Sequence, residues 1–324
     1  MRGILRREAV NGKCKIADIK RILLLLFAFY FLPFTCLYAA FSGRDTGTAG
    51  AQFLKLGSGA RASAMGNAYS GVADDASAVY WNPAGLNQIN EKCISVTHSI
   101  MFEDIYYDWV SCVSPLKGGG VLGIGVQYMS YGKIMGTDLY GNDLSNFRPN
   151  DLAVIGSYGF KAGNVMFGLS GKYISSQIMK AAVAYAADVG AMYKISDNRM
   201  SFGLAVQNFG GKIKFKEAGD KLPLNIKLGG AYRIKENWIV SADANEPVDG
   251  KIYFCAGTEY RYNVAEDVSL AGRAGYNTST RDTGGLSGLT GGLGAVFAKY
   301  DIDYSFSPFG DLGNIHRITF GLKF

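Results

Sequence analysis

Gly118, Gly120 and Gly123 spell G-x-G-x-x-G, the spacing that lets backbone approach a pyrophosphate at the start of a helix. The residues that follow, 124–131, alternate as a strand does and open no helix. The dinucleotide chemistry therefore lacks its structural context, and the glycines read as a turn with a smooth inner face. His98 lies near Ser95 and Ser99, the raw material of a serine nucleophile, but alternation puts both serines on the face opposite the histidine. His98 and His316 are too few for a histidine-rich metal centre. After residue 40 the cysteines are Cys93, Cys112 and Cys255, an odd, sparse set that builds no disulfide framework. Cys93 and Cys112 are near enough in sequence to approach each other across one hairpin. No catalytic group, metal or cofactor is expected from these patterns. What remains is a set of charges spaced along strand-like segments: Lys172, Asp188, Lys227, Asp243, Glu259, Arg273, Asp301, Asp303, Arg317 and Lys323. Lys172 with Asp188, and Glu259 with Arg273, are expected on successive strands, where they neutralise each other or anchor another segment.

Such charges need a scaffold. The 324-residue chain is 48% hydrophobic, with 43 glycines, 20 tyrosines and 7 prolines, which excludes collagen and disorder. It suits many strands bounded by aromatic girdles. The formal charge of +6 is concentrated at the start, where Arg2, Arg6, Arg7, Lys13, Lys15, Lys20 and Arg21 stand against Glu8 and Asp18. The remainder is close to neutral and has no concentrated basic field, so no nucleic acid is expected as a partner. Residues 1–40 read as a cleaved signal peptide. A basic stretch ends at Lys20-Arg21, an apolar run extends from Ile22 to Leu32, and small residues follow at Ala39-Ala40. That run is shorter than the roughly 20 residues a spanning helix needs, which makes an uncleaved anchor the lesser alternative. Thr35 before Cys36 argues against a lipoprotein signal.

From Cys93 onward apolar residues recur with period two. Leu122, Ile124, Val126 and Tyr128 oppose Gly123, Gly125 and Gln127, and Leu224, Ile226 and Leu228 oppose Asn225, Lys227 and Gly229. The pattern predicts an all-β fold, a 14-stranded antiparallel transmembrane β-barrel over 93–324. Its strands fall near 93–101, 106–115, 120–131, 151–160, 164–174, 182–195, 200–208, 223–233, 237–245, 251–260, 267–276, 289–298, 299–306 and 315–324. These lengths approach the roughly 9–11 residues of a tilted membrane strand. Every second connection is short (115–119, 161–163, 196–199, 234–236, 298–299), and the intervening ones are often longer (132–150, 209–222, 277–288, 307–314). Short periplasmic turns, long outer loops and an even strand count are the habit of cell outer-membrane barrels. A charge facing lipid costs about 2–4 kcal/mol near mid-membrane, so the charges above are assigned to the lumen, where no apolar stripe is evident. Ile318, Phe320, Leu322 and the terminal Phe324 share one face, opposite Arg317, Thr319 and Lys323. That ending resembles the assembly signal of bacterial outer-membrane barrels and implies the barrel-assembly machinery as a partner, beside outer-membrane lipids.

Residues 41–92 differ in being rich in Gly, Ala and Ser. Small side chains permit close packing and short helices, with Asp or Ser as caps. Pro83 sets φ within Asn82-Pro83-Ala84-Gly85, and Gly85 permits a left-handed exit. The preferred reading is an N-terminal hatch, or plug, in the lumen; a mobile periplasmic tail is the alternative.

Gly50-Ala51-Gln52-Phe53-Leu54-Lys55-Leu56-Gly57, Gly59-Ala60-Arg61-Ala62, Ala64-Met65-Gly66 and Ala73-Asp74-Asp75-Ala76-Ser77-Ala78 through Trp81-Asn82-Pro83-Ala84-Gly85-Leu86 resemble the PorV/PorQ family. That family is related to the FadL-type fatty-acid transporters, whose hatch carries a similar Asn-Pro-Ala turn. The likeness continues at Asn208-Phe209-Gly210, Leu222-Pro223 and Gly257-Thr258-Glu259-Tyr260. It implies a fourteen-stranded barrel with a lumenal hatch whose motif is Asp74, Asp75, Trp81, Asn82, Pro83, Ala84 and Gly85. It also implies two non-enzymatic roles. One is an accessory of type nine secretion that holds exported protein cargo or secretion components at the cell surface. The other is FadL-like passage of hydrophobic small molecules, for which Lys172, Lys227, Arg273 or Arg317 would hold a headgroup if left unpaired.

Overall fold

The computed structural model describes residues 47–324, apart from 144, 179, 196–198, 216–218 and 281–283. The signal peptide expected at 1–40 lies outside the described residues. Alternation of large apolar side chains with small or polar ones yields β1 (Cys93–Ile100), β2 (Tyr106–Pro115), β3 (Val121–Ser130), β4 (Asn150–Ala162) and β5 (Val165–Gln177). There follow β6 (Ala181–Lys194), β7 (Met200–Gly210), β8 (Lys212–Lys214), β9 (Gly219–Lys221), β10 (Asn225–Lys235) and β11 (Trp238–Pro247). The remaining strands are β12 (Tyr253–Ala265), β13 (Val268–Asn277), β14 (Leu289–Phe297), β15 (Tyr300–Pro308) and β16 (Asn314–Lys323). Fourteen of them close into an antiparallel barrel in sequence order, β7 pairing with β10 and β16 with β1. Closure leaves no edge strand and satisfies the backbone within the membrane.

β3 shows why these residues make this wall. Val121, Gly123, Gly125, Gln127 and Met129 are buried inward, while Leu122, Ile124 and Tyr128 are exposed outward. Aromatic residues gather where an interface requires them. Tyr173 and Tyr185 pair toward the long-loop end, and Trp238 with Tyr260, and Tyr300 with Phe320, toward the short-turn end. Both ends of the barrel sequence, Cys93 and Lys323, lie at the short-turn end, the periplasmic side.

Three expectations need correction. The connection at 209–222 is not plain loop: β8 and β9 form a small separate hairpin within it, too short for alternation to register. β4 and β5 each run to 13 residues, longer than the 151–160 and 164–174 read from the sequence. Cys93 and Cys112 occupy adjacent strands, but Cys93 is buried and Cys112 is exposed on the opposite face, so the two thiols cannot meet.

Inside the barrel, residues 47–92 form a 3-10 turn (Gln52–Lys55), α1 (Ala60–Ala64), α2 (Ala78–Trp81) and a second 3-10 turn (Pro83–Gln88). The expected Asp or Ser caps are absent from both short helices: Gly59 and Ser77 precede them without a side-chain cap. The wall supplies a substitute, since the Ala60 N–H donates to Thr319 Oγ1 at 2.8 Å. Asn82 is the residue that caps, accepting from the Ala84 N–H at 3.1 Å. Gly85 has no positive φ. A Cβ there would overlap the Ala73 carbonyl oxygen, so its role is close approach and not a left-handed exit.

Candidate functional site

The lumen is where side chains of this wall can act, and its geometry begins with glycine. A Cβ at Gly168 would overlap the Pro83 carbonyl, one at Gly203 the Ser70 carbonyl oxygen, and one at Gly275 the Gly66 amide. These wall glycines sit on β5, β7 and β13, so hatch backbone lies directly on wall backbone around much of the circumference. Polar groups on inward positions then pair with the hatch backbone. Asp243 accepts from the Tyr69 and Ser70 amides at 3.1 and 2.8 Å, Ser241 donates to the Ala68 carbonyl, and Ser201 donates to the Gly71 carbonyl. Satisfying these buried amides and carbonyls avoids a penalty of about 1–3 kcal/mol for each one left unmade.

The contacts are chemically two-sided. Toward β2–β5 they are apolar: Val79, Tyr80, Trp81 and Leu86 are buried with Tyr107, Trp109, Ile155 and Ile174. Tyr80 meets Trp81 and Trp109 edge-on at centroid distances of 4.9 and 6.0 Å. The lumen thus does carry an apolar stripe, against the expectation from sequence. In Tyr106-Tyr107-Asp108-Trp109-Val110 both faces are largely apolar, so the contrast that marks an inward face is lost.

Toward β12–β15 the contacts are ionic and centre on Arg61 of the hatch. Its guanidinium donates to Glu259 through Nε at 2.7 Å and Nη2 at 3.0 Å, and to Asp74 through Nη1 at 2.6 Å. Asp75 lies 3.2 Å away. Glu259 also pairs with Arg273, which in turn reaches Asp303, at 2.7 and 2.6 Å. Burial opposes the Arg61 charge, but Asp74 and Glu259 more than offset it and hold its pKa well above the ordinary value. Burial likewise would raise the Asp75 carboxyl. Arg61 and hydrogen bonds from Ser77 and Tyr69 hold it below its ordinary value instead. Beside this network a cavity of about 390 Å³ opens at the periplasmic end, with Asp301, Cys93 and Lys323 in its lining. Asp301 and Lys323, expected in the lumen, are rim residues: Lys323 is half-exposed.

Lys172 and Asp188 form a fully buried pair at 2.7 Å. A bulge in β7 supports it. The β6–β7 register shifts between Ala187 and Val189, Asn208 takes φ 61°, and both Gln207 and Asn208 turn inward. Asn208 accepts from Lys172 Nζ and donates its amide to Asp188, each at 2.7 Å. Gln207 donates to the Tyr80 carbonyl of the hatch. Lys227 is placed otherwise, with its ammonium over the Trp81 ring at 4.4 Å. Arg317 is buried with no hydrogen-bond partner for its Nε. Of the hatch motif, Trp81 donates to the Ser58 carbonyl at 2.9 Å, and Asn82 donates to the Ser70 and Ala191 carbonyls. Pro83 and Ala84 lie on Gly168. Ile318, Phe320 and Phe324 are exposed on the outer face and end of β16, while Leu322 borders the periplasmic cavity. The bulge residues escape a reading by alternation because one extra residue leaves no mark in composition. Arg61 does carry a signal, as a lone cation in a segment of small residues.

At the outer end the hatch begins as a strap. Ala49 bridges to Lys221 of β9, and Gln52 and Lys55 bond to Asp249 in the β11–β12 loop at 2.6 and 2.7 Å. The β3–β4 loop lies at the same end. Bridges between Ile134 and Phe147, and between Thr137 and Asp143, make it a ribbon. Asp138 accepts from the Tyr140 and Asn142 amides at its tip, where Leu139 and Tyr140 are almost wholly exposed.

The fold is shared with known proteins. The toluene transporter TodX of Pseudomonas putida superposes with a TM-score of 0.59 at 14% identity, covering 83% of this chain and 99% of that one. The toluene transporter TbuX of Ralstonia pickettii gives 0.57 at 14% identity, over 83% and 98%. A FadL homologue of Pseudomonas aeruginosa gives 0.50 at 13% identity, over 86% and 97%. At such identities the likeness establishes the fold alone. No curated relative matches the sequence. The family model described as type IX secretion system protein PorV matches residues 40–244, well over half of the chain. The protein therefore belongs to the PorV family and is an outer-membrane β-barrel.

Proposed function

We propose that this barrel is a non-enzymatic accessory that binds protein partners at the cell surface, in the manner of type nine secretion. The observation that carries this reading is the β3–β4 loop. Its Asp138-capped tip holds Leu139 and Tyr140 out in solvent at an entropic advantage, because the ribbon below is already hydrogen-bonded. Exposed aromatic and aliphatic anchors on an ordered support are what a partner's pocket engages. The lumen, by contrast, is occupied by hatch side chains. Crosslinking from native outer membranes, followed by recovery of the barrel, should yield an exported or secretion protein joined through 132–149. Leu139→Ser with Tyr140→Ser should abolish that product while leaving heat-shifted gel mobility intact. Recovery of the same partner with the double variant would sink the reading.

One observation favours a second reading, passage of hydrophobic small molecules. Lys227, whose ammonium lies over the Tyr80 and Trp81 rings, and the buried Arg317 are lumenal cations without an ion pair among the described residues. They would hold a carboxylate if the hatch withdrew. Retention of a fatty acid by the purified barrel, detected by mass spectrometry in the absence of any protein partner, would favour this second role.

A further inference from the structure

The periplasmic mouth of the lumen has two halves of different charge. Around β12–β15 the cations are matched, Arg61 and Arg273 pairing with Glu259, Asp74 and Asp303. Around β4–β10 they are not. Lys161 alternates with the lumenal Ser157 and Gly159 and pairs with the buried Met166 near the end of β4. Lys194 ends β6 on the face of the buried Asp188 and Met192. Arg233 continues the inward face of β10 that carries Lys227 and Gly229, and its amide donates to the Arg199 carbonyl at 2.8 Å. That bond takes the β7–β10 ladder one step beyond Met200 and Tyr232, so the two arginines stand opposite each other on the inward face.

Four cations thus gather in one sector of the rim, Lys161 and Arg199 exposed, Lys194 and Arg233 half-buried. Arg233 and Lys161 both lie near enough to oppose the Lys194 charge. Like charges on facing positions destabilise a ladder, so an arrangement of this kind is completed by an anion. The carboxylate within reach of Lys194 is Asp74, whose Oδ1 already accepts from Arg61 at 2.6 Å. Arg233 donates only to a neutral group, the Glu236 carbonyl at 3.0 Å. Lys161, Lys194 and Arg233 have no ion pair among the described residues. Lys194, Arg199 and Arg233 border a recess of about 30 Å³ against Gln88 of the hatch. That is room for about two water-sized atoms, the two oxygens of a carboxylate. The near-neutral composition of the barrel conceals this excess because the compensating carboxylates lie in the other half of the mouth.

From β4 to β10 the wall advances four strand spacings, about 19 Å. A single small anion cannot reach across that distance, whereas a chain with a carboxylate every few residues can. The cations are lumenal, and Met200 and Tyr232 face outward beside Arg199 and Arg233, so the wall separates them from lipid phosphates. We infer that this half of the mouth docks an acidic peptide segment of a periplasmic protein, one carboxylate entering the recess at Lys194 and Arg233 and others meeting Lys161 and Arg199. A cleft lined by one sign of charge both steers and selects such a segment. The site lies at the opposite end of the barrel from Leu139 and Tyr140 and is independent of what they bind.

The detergent-folded barrel is titrated against a fluorescein-labelled peptide of four Glu-Ser-Ser repeats, followed by anisotropy at about 50 mM salt, where screening is weak. Lys194→Gln with Arg233→Gln should weaken binding about tenfold, and Lys161→Glu, at an exposed position, by a similar factor. Lys299→Gln with Lys323→Gln removes the same charge from the β14–β16 rim and should change binding less than about twofold. Four Gln-Ser-Ser repeats should not bind. If the Lys194 and Arg233 variant fails the heat-shift test for folding, Lys161→Glu decides the matter. Unaltered binding in the β4–β10 variants, or an equal loss in the Lys299 and Lys323 variant, overturns the site. Complete displacement of the peptide by about 1 mM inorganic phosphate shows a single-oxyanion site and overturns the peptide. Absence of peptide binding, with a phosphatidylglycerol adduct in native mass spectrometry that the same variants weaken, replaces the peptide with lipid.

Discussion

Arg61→Met should detach the periplasmic end of the hatch while leaving the barrel folded. The Arg61 side chain is 12% exposed, and it donates twice to Glu259, which is 4% exposed, and once to Asp74. Removing one member of a buried ion pair costs about 3–5 kcal/mol, chiefly because the abandoned charge stays buried. Glu259 would keep Arg273 at 2.7 Å, so the lower figure, about 3 kcal/mol, applies here. Methionine keeps much of the aliphatic volume and adds no cavity of consequence. If only the hatch yields, about 3 kcal/mol is roughly a hundredfold in its local opening equilibrium. Amide exchange over 60–66 measures this directly, and proteinase K provides a second measure unaffected by loss of an arginine. Glu259→Gln alone should loosen the same amides, and the double variant should loosen them by less than the sum, a coupling of about 1–3 kcal/mol. Heat-shifted mobility must stay unchanged throughout. Exchange that rises less than about threefold in Arg61→Met, with the barrel intact, would refute the anchor.

Gly203→Val places a branched side chain against the Ser70 carbonyl and Asn82, where no space exists, and should cost about 1–3 kcal/mol or more. Protease digestion should then begin within 66–90 at a rate that Gly272→Val does not reach. Acid should loosen the hatch by a separate route. The Asp75 carboxyl is held below its ordinary value of 3.8, so its contribution is present in full above that value and is lost as pH falls through the lower folded value. Hatch protection should therefore be flat from about pH 7 to about pH 5 and fall below about pH 4, whereas Asp75→Asn should show part of that loss already at neutral pH.

The barrel is legible in the sequence because membrane strands must alternate, and because a misplaced charge on the lipid face is costly. Lys172, Asp188, Glu259 and Arg273 have nowhere else to point, and their pairing on successive strands follows from register. The inward apolar surface is not legible, since Tyr107 and Trp109 are flanked by Tyr106 and Val110 and no contrast between faces survives. The β7 bulge is invisible for a different reason: Gln207 and Asn208 both face inward, which alternation forbids and only the ladder reveals. Gly85 shows the limit of residue type alone. Glycine signals either a left-handed turn or a close approach, and the choice depends on Ala73, twelve residues away in sequence and in contact in space.

The two functional readings make opposite demands on the hatch, and that allows them to be separated without knowing a ligand. Passage through the lumen requires segments to leave wall glycines such as Gly168 and Gly203, and the ionic side around Arg61 is the edge that can release without exposing the Tyr80–Trp81–Trp109 cluster to water. A transporter should therefore change its flux when Arg61→Met shifts the opening equilibrium. Partner binding at Leu139 and Tyr140 uses a ribbon on the opposite, outer end, whose bridges and tip hydrogen bonds close within the loop itself. An accessory should keep its partner in Arg61→Met and lose it in Leu139→Ser with Tyr140→Ser. If Arg61→Met releases the protein partner while the loop variant retains it, the outer loop is not the binding surface, and the hatch must be part of whatever the partner reads.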